Sequence, residues 1–221
     1  MDLFDIVGPE MIGPSSSHTA GAARIGKVVS ALLSEKCVAA ELLLYGSFLK
    51  TGLGHGTDRA LVGGLLGMDV DDVRIRQSLE IAEAEGLKIT FGEASLRNAH
   101  PNSVVIEAIG LSGKKITVRC SSIGGGNILI DEVDGLLLGL SGENDTLVIM
   151  HRDTTGVIAD ITGALKAAHI NIASIRDFRN TQGGDALMAI ETDSCPPDAI
   201  IREMERADGI KRVTLLKRRG L

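Results

Sequence analysis

The chain of 221 residues is 44% hydrophobic, carries a formal net charge of −6, and has only 2% aromatic residues with no Trp. Such length and apolar content support one large or two small packed domains and exclude global disorder. The acidic balance and the scarcity of rings exclude the usual nucleic-acid binders, which need basic grooves and aromatic stacking platforms.

In chain order, Asp2, Asp5 and Glu10 interrupt the start, so no secretory leader is expected. No apolar run approaches the ~18 residues of a membrane span. Residues 12–19, "IGPSSSHT", form a turn for which Gly13 and Pro14 suffice, yet it is loaded with hydroxyls and an imidazole. Ile25, Val28, Val29 and Leu32 recur at i, i+3, i+4, i+7 and predict a helix. Residues 38–47 read as a strand. Residues 57–68 read as a helix with Thr57 as its cap and Asp58 in its first turn. Residues 77–86 read as a short helix closed by Gly86. Strands are predicted over 87–92, 102–110, 114–120 and 127–133. This is an α+β pattern with a mostly antiparallel sheet.

Residues 134–145 are the expected linker region, with Leu136–Leu140 docking on one domain and 141–145 as the hinge. A regular second half follows. It has a strand at 146–152, a helix at 156–170 with Ile158, Ile161 and Leu165 on one face, and a strand at 171–180. A turn at 181–184, a strand at 185–193, a helix at 196–207 and a strand at 210–217 complete it. The order βαββαβ is the ferredoxin-like plan. The expected domains are 1–140 and 146–221, and Lys217, Arg218 and Arg219 read as a solvated tail.

Three imidazoles sit in turns. His18 follows Ser15, Ser16 and Ser17 where the first helix begins, and Thr19 follows it. The unpaired N–H groups of a helix start welcome a carboxylate and lower the pKa of a nearby imidazole. A neutral imidazole can accept a proton, although a capping serine and a surface histidine would give the same string. His55, in "TGLGHGTD" (51–58), stands between glycines before the next helix. His100, in "RNAHPNS" (97–103), precedes Pro101 and Asn102. The run "SSIGGGN" (121–127) places Gly124, Gly125 and Gly126 where their N–H groups could face an anion, or simply bend the chain. Cys37, Cys120 and Cys195 are far apart, show no ligand spacing and suit a reducing cytoplasm. No metal ligand is assigned to this chain. Lys27 and Lys50 sit in no recognisable pyridoxal-phosphate motif.

Together, "GPSSSHTAGAARIGK", "YGSFLKTGLGHGTD" and "SSIGGG" resemble the beta chain of bacterial iron–sulfur-dependent L-serine dehydratase (L-serine ammonia-lyase). The front half is also similar to the allosteric substrate-binding (ASB) domain of some phosphoglycerate dehydrogenases. "HRDTTGVIAD" and "HINIASI" resemble signature positions of an ACT domain, with Thr where many ACT turns carry Pro. The resemblance implies an ASB-like serine dehydratase beta domain followed by an ACT domain, in a cytoplasmic subunit that turns L-serine into pyruvate and ammonia. It implies an alpha chain as partner, carrying the ligands of a [4Fe–4S] cluster. It implies His18 or His55, with His100, as proton-transfer residues. It also implies Ser15, Ser16, Ser17, Thr19 and the Gly124 to Gly126 loop at the substrate. In the ACT half it implies an effector near Gly156, Asn171 and Ile172, and a homodimer through the ACT or N-terminal domains. The other reading carried forward is a non-catalytic amino-acid-sensing regulatory protein.

Overall fold

A computed structural model describes residues 10–141, 144–179 and 181–217. Asp2 and Asp5, Gly142 and Glu143 of the expected hinge, and Arg218 and Arg219 of the tail lie outside the described residues. Among the described residues, no helix is long and apolar enough to cross a membrane.

The chain divides into two compact units. Among the described residues, 10–135 with 139–141 form the first, and 136–138 with 144–179 and 181–217 form the second. In the first unit a short π-helical turn, Ser16–Ala20, runs straight into helix α1, Gly21–Leu33. Strand β1 (Cys37–Leu44), helix α2 (Ser47–His55) and helix α3 (Thr57–Leu65) follow. A 3-10 turn (Val73–Gln77) leads into α4 (Ser78–Ala84), which Gly86 closes at φ 75°. Strands β2 (Lys88–Glu93), β3 (Ser103–Gly110), β4 (Lys115–Gly124), β5 (Asn127–Val133) and β6 (Leu136–Leu140) complete a six-stranded sheet of order β2-β1-β3-β4-β5-β6. β1 pairs in parallel with β2 and antiparallel with β3, and β3, β4 and β5 continue antiparallel.

The apolar stripe of α1 is the one its spacing predicts: Ile25, Val28, Val29 and Leu32 are all buried. So are Leu42, Ile106, Val118 and Ile130, which alternate with exposed or half-exposed neighbours along four adjacent strands, as a sheet covered on one face requires. One sequence expectation fails here. Residues 47–55 form a helix, and the strand before it ends at Leu44. Leu136–Leu140, expected to dock on one domain, is the sixth strand of this sheet, with Leu138 and Leu140 buried.

The second unit has strand β7 (Asp145–Arg152), helix α5 (Val157–Ala167), strands β8 (Ile172–Arg179) and β9 (Asp185–Thr192), helix α6 (Asp198–Met204) and strand β10 (Ile210–Leu216). Its sheet order is β10-β7-β9-β8. Leu147, Ile149, Met188 and Ile190 meet Val157, Ile161, Leu165 and Met204 in one core. Ile158 is exposed instead, and Val157 takes the inward place the helical spacing assigned to it. The "HRDTTG" turn lacks proline but is tied by Asp153, whose carboxylate accepts from Arg179 Nη1 at 2.7 Å and from the Gly183 N–H at 2.9 Å.

α1 and α3 touch backbone to backbone. A Cβ at Gly26 would lie 2.1 Å from the Leu61 carbonyl oxygen, and one at Gly64 would lie 2.0 Å from that of Ala23. Glycine in a helix costs about 1 kcal/mol relative to alanine, so these two are retained for the approach they allow. Gly64→Ala should therefore lower thermal stability by about 2 kcal/mol or more, because backbone cannot give way as a side-chain tip can. An unchanged or raised melting temperature would show that the helices do not pack this closely.

Candidate functional site

The Ser16–Ala20 turn is widened by one residue: the N–H of Gly21 donates to the Ser16 carbonyl, an i to i+5 bond. Ser15 opens it, with Oγ accepting from the His18 N–H at 3.1 Å. One residue on, Thr19 is buried, and its hydroxyl donates to the His55 carbonyl at 3.0 Å. Thr57, fully buried, returns the bond by donating to the His18 carbonyl at 2.9 Å. Each histidine backbone is thus held by the threonine that follows the other histidine.

Glycines make room for this clasp. A Cβ on Gly13 would lie 2.6 Å from Thr19 Cγ2, and one on Gly52 would lie 3.1 Å from Thr57 Cβ. Gly56, at φ 69°, supplies the left-handed residue that separates α2 from α3. His55 therefore ends one helix, and Thr57 is the first residue of the next with Gly56 as its cap.

The clasp sets the His18 and His55 rings 5.0 Å apart between centroids, inclined by 38°. Both residues are half-buried. His18 packs edge-on against the buried ring of Phe48 at 5.5 Å. Its Nε2 lies 3.1 Å from Ser47 Oγ and 3.2 Å from Thr51 Oγ1. Thr51 in turn donates its hydroxyl to the Ser47 carbonyl at 2.9 Å. His55 Nδ1 lies 3.0 Å from the Thr51 carbonyl. A carbonyl only accepts, so Nδ1 carries the proton and Nε2 of the neutral ring offers a lone pair. His55 Nε2 and His18 Nδ1 have no hydrogen-bond partner among the described residues. The hydroxyls of Ser16 and Ser17, both half-buried, have none either.

His100 is exposed, and its Nδ1 accepts from the Asn102 N–H at 3.2 Å. It shares no hydrogen bond or ring contact with His18 or His55 among the described residues. Its loop nevertheless abuts α2, since the Pro101 carbonyl accepts from the Ser47 N–H at 2.7 Å where Gly46 has no Cβ to block it. Gly125 and Gly126, at φ 62° and 83°, form the two-residue turn of the β4–β5 hairpin, and Gly124 at 108° precedes them. The Gly126 carbonyl accepts from Arg24 Nη1 at 2.6 Å. Sequence reasoning missed Ser47, Thr51, the clasp role of Thr57, and Arg24. All four lie inside the two quoted motifs, where Ser47 and Thr51 stand one helical turn apart.

A profile described as the serine dehydratase beta chain matches residues 1–87. The chain is 42% identical over 212 residues to the "Probable L-serine dehydratase, beta chain" of Bacillus subtilis, covering 96% of each. It is 40% identical to the "L-serine dehydratase, beta chain" of Peptoniphilus asaccharolyticus, covering 86% of each. The chain belongs to the serine dehydratase beta chain family. A D-3-phosphoglycerate dehydrogenase from Synechocystis shares 30% identity over 62% of this chain and 24% of its own length.

The cysteines of this serine dehydratase beta chain do not fit an iron–sulfur cluster. Cys37 and Cys120 are buried, and burial pushes both thiols up, away from the thiolate that binds iron. Cys195 is exposed beside Pro196 in the second unit. Among the described residues no three His, Cys, Asp or Glu side chains gather as a metal site. In the second unit, Gly156 precedes α5 at φ 103°, while Asn171 and Ile172 lie beyond its other end. The Asn171 amide donates to Asp193 Oδ2 at 2.6 Å rather than capping a helix. One protomer does not bring Gly156 and Asn171 together.

Burial first, and then the neighbouring His55, hold the His18 imidazole below its ordinary value, opposed only in part by a hydrogen bond at Ser47. His18 is therefore neutral over more of the range near pH 7 than a free imidazole. Followed by NMR, the His18 ring should titrate below the ordinary value of about 6.5. In His55→Gln the midpoint should rise but stay depressed, because the burial remains. A midpoint unmoved by that substitution would deny the coupling of the two rings.

Proposed function

We propose that this chain supplies the proton-handling and substrate-holding side of a two-chain L-serine dehydratase, which converts L-serine to pyruvate and ammonia. The observation that carries the proposal is the pair of imidazoles 5.0 Å apart, each with one nitrogen fixed and one unpartnered. His55 Nε2 accepts the α-proton of serine, because the Thr51 carbonyl fixes the proton on Nδ1 and leaves the Nε2 lone pair free. His18, held neutral at its side, adds no repelling charge when His55 becomes imidazolium.

Ser16 and Ser17 offer free hydroxyls to the substrate's polar groups. Thr19 and Thr57 are positioning residues, since their hydroxyls are committed to each other's histidine segment. His100 and the triple-glycine hairpin flank this centre rather than enter it.

The names of the Bacillus and Peptoniphilus relatives, both beta chains, support an alpha chain as partner. We assign the [4Fe–4S] cluster to that chain, because the thiols here are buried or isolated. A positioned base supplies about 10²–10⁴-fold, so the remainder of the barrier falls to groups on the partner. The second unit, with βαββαβ order and two central strands, supports the ferredoxin-like ACT plan. The first supports the ASB-like plan. Gly156, Asn171 and Ile172, at opposite ends of one helix, suit an effector shared between two copies of the domain better than one held by a single copy. A cytoplasmic location fits three free cysteines.

The chain co-produced with its alpha chain under anaerobic conditions should release pyruvate from L-serine. His55→Gln should lower kcat by about 10²–10⁴-fold, and His18→Gln by less. Full turnover in both variants would remove the imidazoles from the chemistry. An assembled complex that binds serine without turnover would favour the sensing role instead.

A further inference from the structure

Arg24 lies on α1 one turn beyond Gly21, and its Nη1 donates to the Gly126 carbonyl. No carboxylate pairs with it among the described residues, whereas Lys27, one turn further along the same helix, pairs with Asp69. Arg24 Nε is sealed from solvent and has no hydrogen-bond partner. Nη2 has no partner either, but it is not sealed.

On β4, Ser122 is fully buried, and its hydroxyl is likewise unpartnered. Gly21 leaves the space for that hydroxyl: a Cβ there would lie 2.1 Å from Ser122 Oγ and 3.6 Å from the Ser16 carbonyl. The Ser122 hydroxyl therefore lies against Gly21, next to the Ser16 carbonyl. Long helical side chains lean toward the helix N-terminus, which carries the Arg24 head back over Gly21 toward the serine turn.

A half-buried guanidinium without an anion destabilises the fold. Burial already weakens its hold on its proton relative to a free guanidinium. Both costs disappear when a carboxylate arrives, and the planar fork of arginine matches a carboxylate in two parallel bonds. In a chain of net charge −6, an anionic substrate also needs a local cation to draw it in.

We propose that Arg24 is the carboxylate anchor of this site. Its free Nη edge grips the α-carboxylate of a small amino acid, with Ser16 and Ser17 alongside, and this selects acids over their neutral analogues. The proposal rests on the dehydratase reading above, and it names the group that reading leaves unassigned.

The test uses the assembled two-chain enzyme with Arg24→Gln and Arg24→Lys, with L-serine as substrate and L-serinamide as competitor. Losing a charge-assisted pair should raise the KM for serine about 10–100-fold in Arg24→Gln. kcat should change less, and Arg24→Lys should recover part of the loss. The wild type should favour serine over serinamide by a similar factor, and Arg24→Gln should lose that preference. A folded, assembled Arg24→Gln enzyme with wild-type KM and wild-type discrimination overturns the anchor while leaving the dehydratase reading intact. If the wild-type assembly does not turn over serine, that reading fails, and calorimetric titration of L-serine into the full chain decides the anchor alone. Binding lost in Arg24→Gln then supports it, and binding equal in both or absent from both overturns it.

Discussion

At Gly26 and Gly64 the backbones of α1 and α3 come into contact, and that approach sets how far apart the starts of the two helices stand. One start is preceded by the serine–histidine turn, the other by the histidine that ends α2. Bringing the helices this close lets each turn reach the other's carbonyls. Thr19 and Thr57 then exchange hydroxyl bonds with the His55 and His18 carbonyls in a buried setting. Buried hydroxyl–carbonyl bonds contribute modestly when made but leave costly orphans when broken. The clasp therefore specifies geometry more than it adds stability. The glycines at 13 and 52 leave room for the two threonines, and Gly13 also takes a φ of 127° that favours glycine.

From that arrangement the chemistry follows. Two imidazoles share one half-buried place, and the pair cannot comfortably hold two charges. One ring has its tautomer set by a main-chain carbonyl. On α1, one turn beyond Gly21, Arg24 donates to the Gly126 carbonyl but has no carboxylate among the described residues, and the Ser122 hydroxyl beneath Gly21 is buried without a partner. The serine turn and α1 carry hydroxyls, one imidazole and a cation, and the end of α2 brings the second imidazole beside them. Among the described residues no cluster of metal-binding side chains gathers in this chain.

Much of this was visible in the sequence because the signals were local. The α1 stripe, the alternation in β3 to β5 and the βαββαβ order each depend on neighbours within one element, and each reappears in the structure. α2 was not visible: "SFLKTGLGH" contains two glycines, which lower helix propensity, and it follows strand β1 after only two residues. β6 was hidden because "LLLGL" next to Asp134 and Gly135 reads as a connector, and only its place beside β5 makes it a strand. At the site, the histidines and serines were legible by residue type. Their pairing was not, because it depends on a helix–helix contact distant in sequence. Thr19 was expected at the substrate for the same reason, since nothing local reveals that its hydroxyl is already taken. Arg24 was overlooked because, on an amphipathic helix, a cation normally reads as a solvated side chain.

The two threonines hold the two histidines as one unit. The most direct measurement is pyruvate formation by Thr19→Val, Thr57→Val and the double variant, each assembled with the alpha chain. Valine keeps the volume and removes only the donor. The account predicts that each single change lowers kcat by about tenfold or more, as misplaced catalytic groups do, and that the double variant loses less than the product of the two. A double variant that assembles and keeps full turnover would contradict it.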